Sequence, residues 1–174
     1  MTRLLTAADT EAFRRVRLRA LKEHPDMFGR AYEEAQSAAE MAEEFRTRHD
    51  GQAGFILGGF DSELIGIIGC ARELGIKREH KAMVWGVYVV AEARGRGWGR
   101  RLLEATIRQA RGWPGLEQLW LSVATHNSQA RALYRSFGFE VFGLERHALK
   151  LGDRYVDEEH MVLDLGRKAE TAAC

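Results

Sequence analysis

Between Val87 and Leu103 the chain changes character twice. Val87-Tyr88-Val89-Val90 is a β-branched and aromatic run that reads as the end of a buried strand beginning near Met83. Ala91–Ala93 is a short connection. Arg94-Gly95-Arg96-Gly97-Trp98-Gly99 then sets three glycines at alternate positions. Leu103, Ile107 and Ala110 follow at i, i+4 and i+7, so a helix runs to about Arg111, where Gly112-Trp113-Pro114-Gly115 stops it. Strand, glycine loop and helix together make an anion site. Glycine lacks the Cβ that keeps a phosphate from backbone N–H groups. The helix start adds partial positive charge and free donors. Arg94, Arg96, Arg100 and Arg101 add full charges.

Spacing excludes two kinds of phosphate loop. G-x-x-x-x-G-K-[ST] occurs nowhere. G-x-G-x-x-G fails because Gly99 comes one residue early. The string that fits is [QR]-x-x-G-x-[GA], filled by Arg94 to Gly99. The competing reading is an Arg/Gly-rich turn that touches RNA, which needs exposed aromatics among the arginines. Only Trp98 is available.

At 174 residues the chain is long enough for one domain, expected over residues 1–165, with a polar tail at 166–174. A net charge of +1 gives no bulk field for nucleic acid or a membrane surface. There is no long apolar run for a transmembrane helix and no apolar leader after Met1. The two cysteines, Cys70 in an apolar strand and Cys174, form no disulfide framework, so a cytoplasmic setting is expected. No His/Cys spacing suggests a metal site.

In order, Arg3–Leu5 is a short strand. Thr6 to Asp9 has capping-box form and opens a helix to about Lys22, which His24-Pro25 stops. Met27–Gln36 is irregular. Ser37 to Glu40 is a second capping box, before a helix from Ala38 to about Arg48. Asp50-Gly51 is a turn. Ala53–Gly58 and Leu64–Glu73 form a hairpin. Met83–Val90 feeds the glycine loop. Gln118–Ala124 is a strand, and Asn127 caps a helix with Ala130, Leu133, Tyr134 and Phe137 on one face. Phe139–Lys150 and Arg154–Leu165 are strands joined at Leu151-Gly152-Asp153. The order β-α-α-β-β-β-α-β-α-β-β gives an α/β (α+β) domain with a mixed sheet around one βαβ crossover.

A second string, Asn127-x-x-Ala130-x-x-Leu133-Tyr134-x-x-x-Gly138-Phe139, follows the glycine loop by about one βα unit. The two strings and the element order resemble the GNAT superfamily of acetyl-CoA-dependent N-acetyltransferases, from Arg3 to Leu165. The resemblance implies a mostly antiparallel sheet with a central splayed parallel pair, flanked by about four helices. It implies acetyl-CoA as acetyl donor and a primary amine as acceptor. Transfer would be direct, without a covalent enzyme intermediate, and a homodimer is admitted. The pantetheine arm would pair with Val87, Tyr88 and Val89. The pyrophosphate would meet Arg94, Gly95, Arg96, Gly97, Trp98, Gly99 and Arg100. Asn127, Ala130 and Tyr134 would complete the cofactor side.

Tyr134 is the candidate acid for the departing thiolate, against the plain reading that it packs with Leu133 and Phe137. A backbone N–H near Val89 is the candidate oxyanion donor. The base is open among Glu73, His80, Glu33, Glu34 and a water relay. Relatives that acetylate ribosomal-protein N-termini carry a Glu five residues before the motif Asn, where this chain has Ser122. Many relatives have Pro where this chain has Ala91. Tyr32, Glu33, Glu34 and Trp85 are the acceptor-side candidates, with the late hairpin at Leu149–Tyr155. His147 and His160 lie in or beside that hairpin, and His126 just before a cap. The expected acceptor is a small-molecule primary amine. The alternatives are a protein Lys or N-terminus, or an acyl-CoA-binding module without turnover. Cys70 is read as packing.

Overall fold

The computed structural model describes residues 1–35 and 53–166. Seven strands form one sheet: β1 (Thr2–Leu4), β2 (Gly54–Asp61), β3 (Glu63–Arg72), β4 (Lys81–Val89), β5 (Gln118–Ala124), β6 (Glu140–Leu151) and β7 (Arg154–Asp164). Their order across the sheet is β1-β2-β3-β4-β5-β7-β6. β4 and β5 are parallel, and the other neighbours are antiparallel. The described α-helices are α1 (Thr10–Glu23), α2 (Trp98–Arg111) and α3 (Ser128–Ser136). The helix expected over Ala38–Arg48, the Asp50-Gly51 turn and residues 167–174 lie outside the described residues. No described helix is long and apolar enough to cross a membrane.

Strand alternation explains why both faces of the sheet are covered. In β2, Phe55 and Leu57 point into a core with α2 and α3, while Ile56 points into a second core with Phe13, Val16 and Ala20 of α1. α2 sends Leu102, Leu103 and Ile107 into the first core, as its period requires. Each such burial contributes about 1.5–3 kcal/mol. Cys70 lies in the same core with no exposed surface, and burial pushes its thiol well above the ordinary range. It is a packing residue.

One helix start differs from the expected bounds. α1 begins at Thr10, because Ala7–Asp9 tightens into a 3-10 turn. The Asp9 carboxylate draws it in, accepting from Thr6 N at 2.8 Å and Thr6 Oγ1 at 3.0 Å. Arg3 adds a fork to the same carboxylate at 2.7 and 2.8 Å. The guanidinium holds the Asp9 carboxyl far below its usual range. Asp9→Asn should cost about 1 kcal/mol at neutral pH in urea unfolding. A depressed folded pKa makes this contribution fully present above about pH 4 and lost as pH falls. The gap between wild type and variant should therefore narrow in acid.

α2 begins at Trp98, inside the glycine loop. Gly97 is its N-cap with φ +77°, and no side chain caps it. Ala91–Ala93, expected as a connection, is a 3-10 turn that turns the chain out of β4 without the proline many relatives have.

Candidate active site

β4 and β5 pair only at Lys81 with Gln118, Ala82 with Leu119 and Met83 with Trp120. Beyond Met83 they diverge. Gly86 sits at φ +64°, beside the register shift between β3 and β4. β4 stays paired to β3 on its other edge, where Val90 N donates to Ile65 O at 2.9 Å. Alternation then turns the Val89 N–H and C=O toward the gap left by β5. Such an open strand edge receives an extended arm as an added strand would.

The gap is the floor of a cleft of about 590 Å3. Val87, Tyr88 and Val89 line it from β4, and Trp85 lines it too. Leu121 to Ala124 line the opposite wall. One end is the glycine loop, with Arg94, Gly95, Gly97, Trp98, Gly99 and Arg100. The glycines divide their work. Gly95 at φ +75° and Gly97 at φ +77° hold the left-handed turn, and a Cβ at either would enter open space. Gly99 is helical, and a Cβ there would lie 3.4 Å from Leu133 Cδ2, so it sets the approach of α2 to α3. The first helical bond is Arg101 N to Gly97 O at 3.1 Å, which leaves the first-turn N–H groups of Trp98, Gly99 and Arg100 free of helical partners.

The arginines are not equivalent. Arg94 is folded back: Nε donates to Val89 O at 2.9 Å and Nη2 lies 2.9 Å from His24 Nε2. It buttresses the turn and takes up the Val89 carbonyl, leaving the N–H. Arg96 is outside the cleft lining and sits 3.5 Å from Asp61. Arg100 lines the cleft and reaches Ser136 Oγ at 3.3 Å. Trp98 is only 7% exposed, beneath the Arg101 guanidinium, so it offers no open stacking platform.

α3 closes the side of the cleft. Asn127 caps it, Oδ1 accepting from Ala130 N at 3.1 Å, and Nδ2 reaches Met27 Sδ at 3.4 Å. Both amide ends therefore brace the protein. Ala130, Leu133 and Tyr134 line the cleft. Two tyrosines face it, and their hydroxyls differ. Tyr88 donates to Glu23 Oε2 at 2.6 Å; burial and that acceptor push its phenol up to about 12. Its proton is committed. Tyr134 has no hydrogen-bond partner for its hydroxyl among the described residues, and burial raises its phenol above the ordinary value. It stays protonated and free to donate.

Tyr32, Glu33 and Glu34 are not in the lining; Met27 and Phe28 from the same connection are. Glu34 Oε2 instead accepts from Ala31 N at 3.0 Å. Glu73 accepts from Trp120 Nε1 at 3.0 Å and pairs with Arg78 at 2.9 Å, so it is occupied. His80 lies outside the lining, as do the Leu149–Tyr155 hairpin tip and His147, which stacks on Tyr155. His126 pairs with Asp26 at 3.1 Å. Sequence reasoning missed Glu23 and His24, the partners of Tyr88 and Arg94, since only folding brings α1's end to the loop. Among the described residues no cluster of three metal-ligating side chains occurs.

A family model for the acetyltransferase (GNAT) family matches residues 18–139. The chain belongs to this family. The N-alpha-acetyltransferase RimI of Mycobacterium tuberculosis is 42% identical over 83 residues. That match covers 48% of this chain and 49% of the relative, so it spans about half of each. The ribosomal-protein-alanine N-acetyltransferase from Brucella melitensis shares the fold at TM-score 0.83 and 24% identity, over 95% of this chain and 99% of that one. A GNAT superfamily phosphinothricin acetyltransferase (Pat) from Sinorhizobium meliloti, solved with AcCoA, has TM-score 0.84 at 22% identity, over 95% and 88%.

The residues of this cleft fit acetyl-CoA, the ligand of the Sinorhizobium meliloti neighbour. Two left-handed glycines leave open space at the loop, the first-turn N–H groups lack helical partners, and a strand edge without a partner among the described residues leads inward. Bound there, the acetyl-CoA thioester would supply an activated acetyl group and a thiolate leaving group.

Proposed function

We propose that this acetyltransferase moves acetyl to the free amine at the start of a polypeptide. The observation that carries the acceptor class is the 42% identity to an N-alpha-acetyltransferase across half the chain. The observation that supports transfer is the divergence of β4 from β5, with the Tyr134 hydroxyl, unpartnered among the described residues, lining the cleft. In this reading the first-turn N–H groups of α2 and the Arg100 guanidinium hold the pyrophosphate. The Val89 edge orients the arm, and its N–H holds developing charge on the carbonyl oxygen. Tyr134 gives its hydroxyl proton to the departing sulfur.

A second reading, a small-molecule primary amine, is favoured by Ser122. The relatives that act on ribosomal-protein N-termini carry a Glu at that position, and this chain does not. Thiol release from acetyl-CoA separates the two. The panel is free-amine peptides, the same peptides with blocked N-termini, amino acids, polyamines and aminoglycosides. We expect release with free peptides and none once they are blocked. Release with a small amine alone would replace the polypeptide by the second reading. Silence throughout, with CoA still raising the melting temperature, would mean a binding module.

A further inference from the structure

Ser122 does not stand alone. It is the direct cross-strand partner of His160 on β7, and His160 in turn pairs with Gly143 on β6, two residues from Glu145. With a side-chain period of two, all three project from one face of the sheet. Ser122 Oγ lies 2.9 Å from His160 Nδ1, and His160 Nε2 lies 2.8 Å from Glu145 Oε2. Ser122 lines the cleft, whereas His160 and Glu145 stand behind it.

We propose that Ser122, His160 and Glu145 form the proton-accepting side of this acetyltransferase. Ser122 meets the attacking amine, and the other two act through it. The inference rests on the acetyl-transfer reading above and does not depend on which amine is acetylated.

The geometry fixes the direction of the chain. An ionised Glu145 is only an acceptor, so His160 carries its proton on Nε2 and gives that hydrogen bond to the carboxylate. Nδ1 is then the bare nitrogen, and the Ser122 hydroxyl donates to it. As the new C–N bond forms and the C–S bond breaks, the amine proton passes to Ser122 Oγ. The Ser122 proton passes to His160 Nδ1. The resulting imidazolium is held beside Glu145 and returns its proton to water. Tyr134, having given its proton to sulfur, takes one back from water. One proton leaves the amine, one reaches the thiolate, and every side chain ends as it began.

Aromatic rings and acidic groups enclose the imidazole. Glu158 faces it from β7, one position of the same face away and paired to Glu145 in register. Burial holds the Glu158 carboxyl above its usual range, while His160 opposes that shift. The Trp120 ring from β5 and the Phe142 ring from β6 flank the imidazole at 6.3 and 6.0 Å. Glu145 and Glu158 are the acidic groups that the register places beside it. The histidine side chain is only 24% exposed, so it is held in place rather than sampling solvent.

The test is the pH profile of kcat/KM for thiol release. Acetyl-CoA is the donor. A free-amine peptide led by alanine is the acceptor, or the small amine of the panel where that peptide is silent. Wild type should show a limb from the relay beside the limb of the amine itself, which lies near pH 8. His160→Gln and Ser122→Ala should each lower kcat about ten- to a hundredfold and leave only the amine's limb. The KM for acetyl-CoA should stay within about threefold, and melting temperatures within a few degrees. Glu145→Gln should lower kcat less than His160→Gln, since the imidazole stays but loses the carboxylate that fixes its Nε2 proton. If both variants keep the wild-type profile, the relay is overturned and acetyl transfer stands. If wild type releases no thiol with any amine, the acetyl-transfer reading fails and the relay falls with it.

Discussion

Gly97→Val should weaken CoA binding by at least about a hundredfold, equivalent to roughly 2.8 kcal/mol. Two effects act at one position. Gly97 adopts φ +77°, a conformation that costs an L-residue about 1–2 kcal/mol and a β-branched one more. Its Cβ would enter open space beside the first turn of α2, the volume that the proposed reading gives to the pyrophosphate. The side chain would therefore stand between the anion and the N–H groups of Trp98, Gly99 and Arg100. Gly75→Val is the control. Gly75 has φ +96°, and a Cβ there also meets nothing within 4 Å, but it lies outside the cleft. Both variants should lose some stability from backbone strain. Only Gly97→Val should lose CoA in calorimetric titration. Equal affinity in the two would sink the assignment of the loop.

The same loop shows why part of this site was readable and part was not. Strand, glycines and helix are adjacent in sequence, so their periods and their punctuation report the local backbone directly. Asn127 as a cap and the bounds Gln118–Ala124 are of the same kind. The splay of β4 from β5 followed from the family resemblance, and its physical cause is visible only in the fold. Pairing stops after Met83 while β3 keeps its hold on the other edge.

What stayed hidden depends on contacts between distant segments. The sequence pattern does not say that β7 lies between β5 and β6, so nothing local puts Ser122 beside His160 and Glu145. It marks Arg94 as a phosphate ligand, yet the end of α1 supplies His24 to fold it back. It marks Glu73 as a free acid, yet Trp120 and Arg78 claim its oxygens. A titratable group's role is set by its neighbours, and those come from sheet order and register, which hydrophobic period does not encode. Tyr32, Glu33 and Glu34 illustrate the converse. Their charge suits an amine, but in the described structure it is Met27 and Phe28, further back in the same connection, that reach the cleft.

Tyr134→Phe should lower turnover by roughly 10–10⁴-fold while CoA affinity changes only a few fold. The ring and the hydroxyl separate cleanly here. The ring packs in the first core, with the Phe139 ring at 5.9 Å, and phenylalanine keeps that packing. The hydroxyl makes no hydrogen bond with the described residues, so its removal strands no protein partner and should leave the melting temperature nearly unchanged. The only loss is a proton donor on the cofactor side of the cleft. Burial keeps that phenol protonated well beyond neutral pH, so the variant's deficit should be flat from about pH 6 to 9. This separates the acid from the relay limb expected from Ser122. Tyr88→Phe gives the contrast: its hydroxyl is held by Glu23 at 2.6 Å, so its loss should disturb the end of α1 and stability more than the chemistry. A leaving group that needs less protonation offers one more discriminating measurement. With a thioester whose thiol has a low pKa in place of acetyl-CoA, the penalty of Tyr134→Phe should shrink, because a stable thiolate departs without a proton. An undiminished penalty would mean that Tyr134 acts by positioning the substrate, and an unchanged turnover with acetyl-CoA that it only packs.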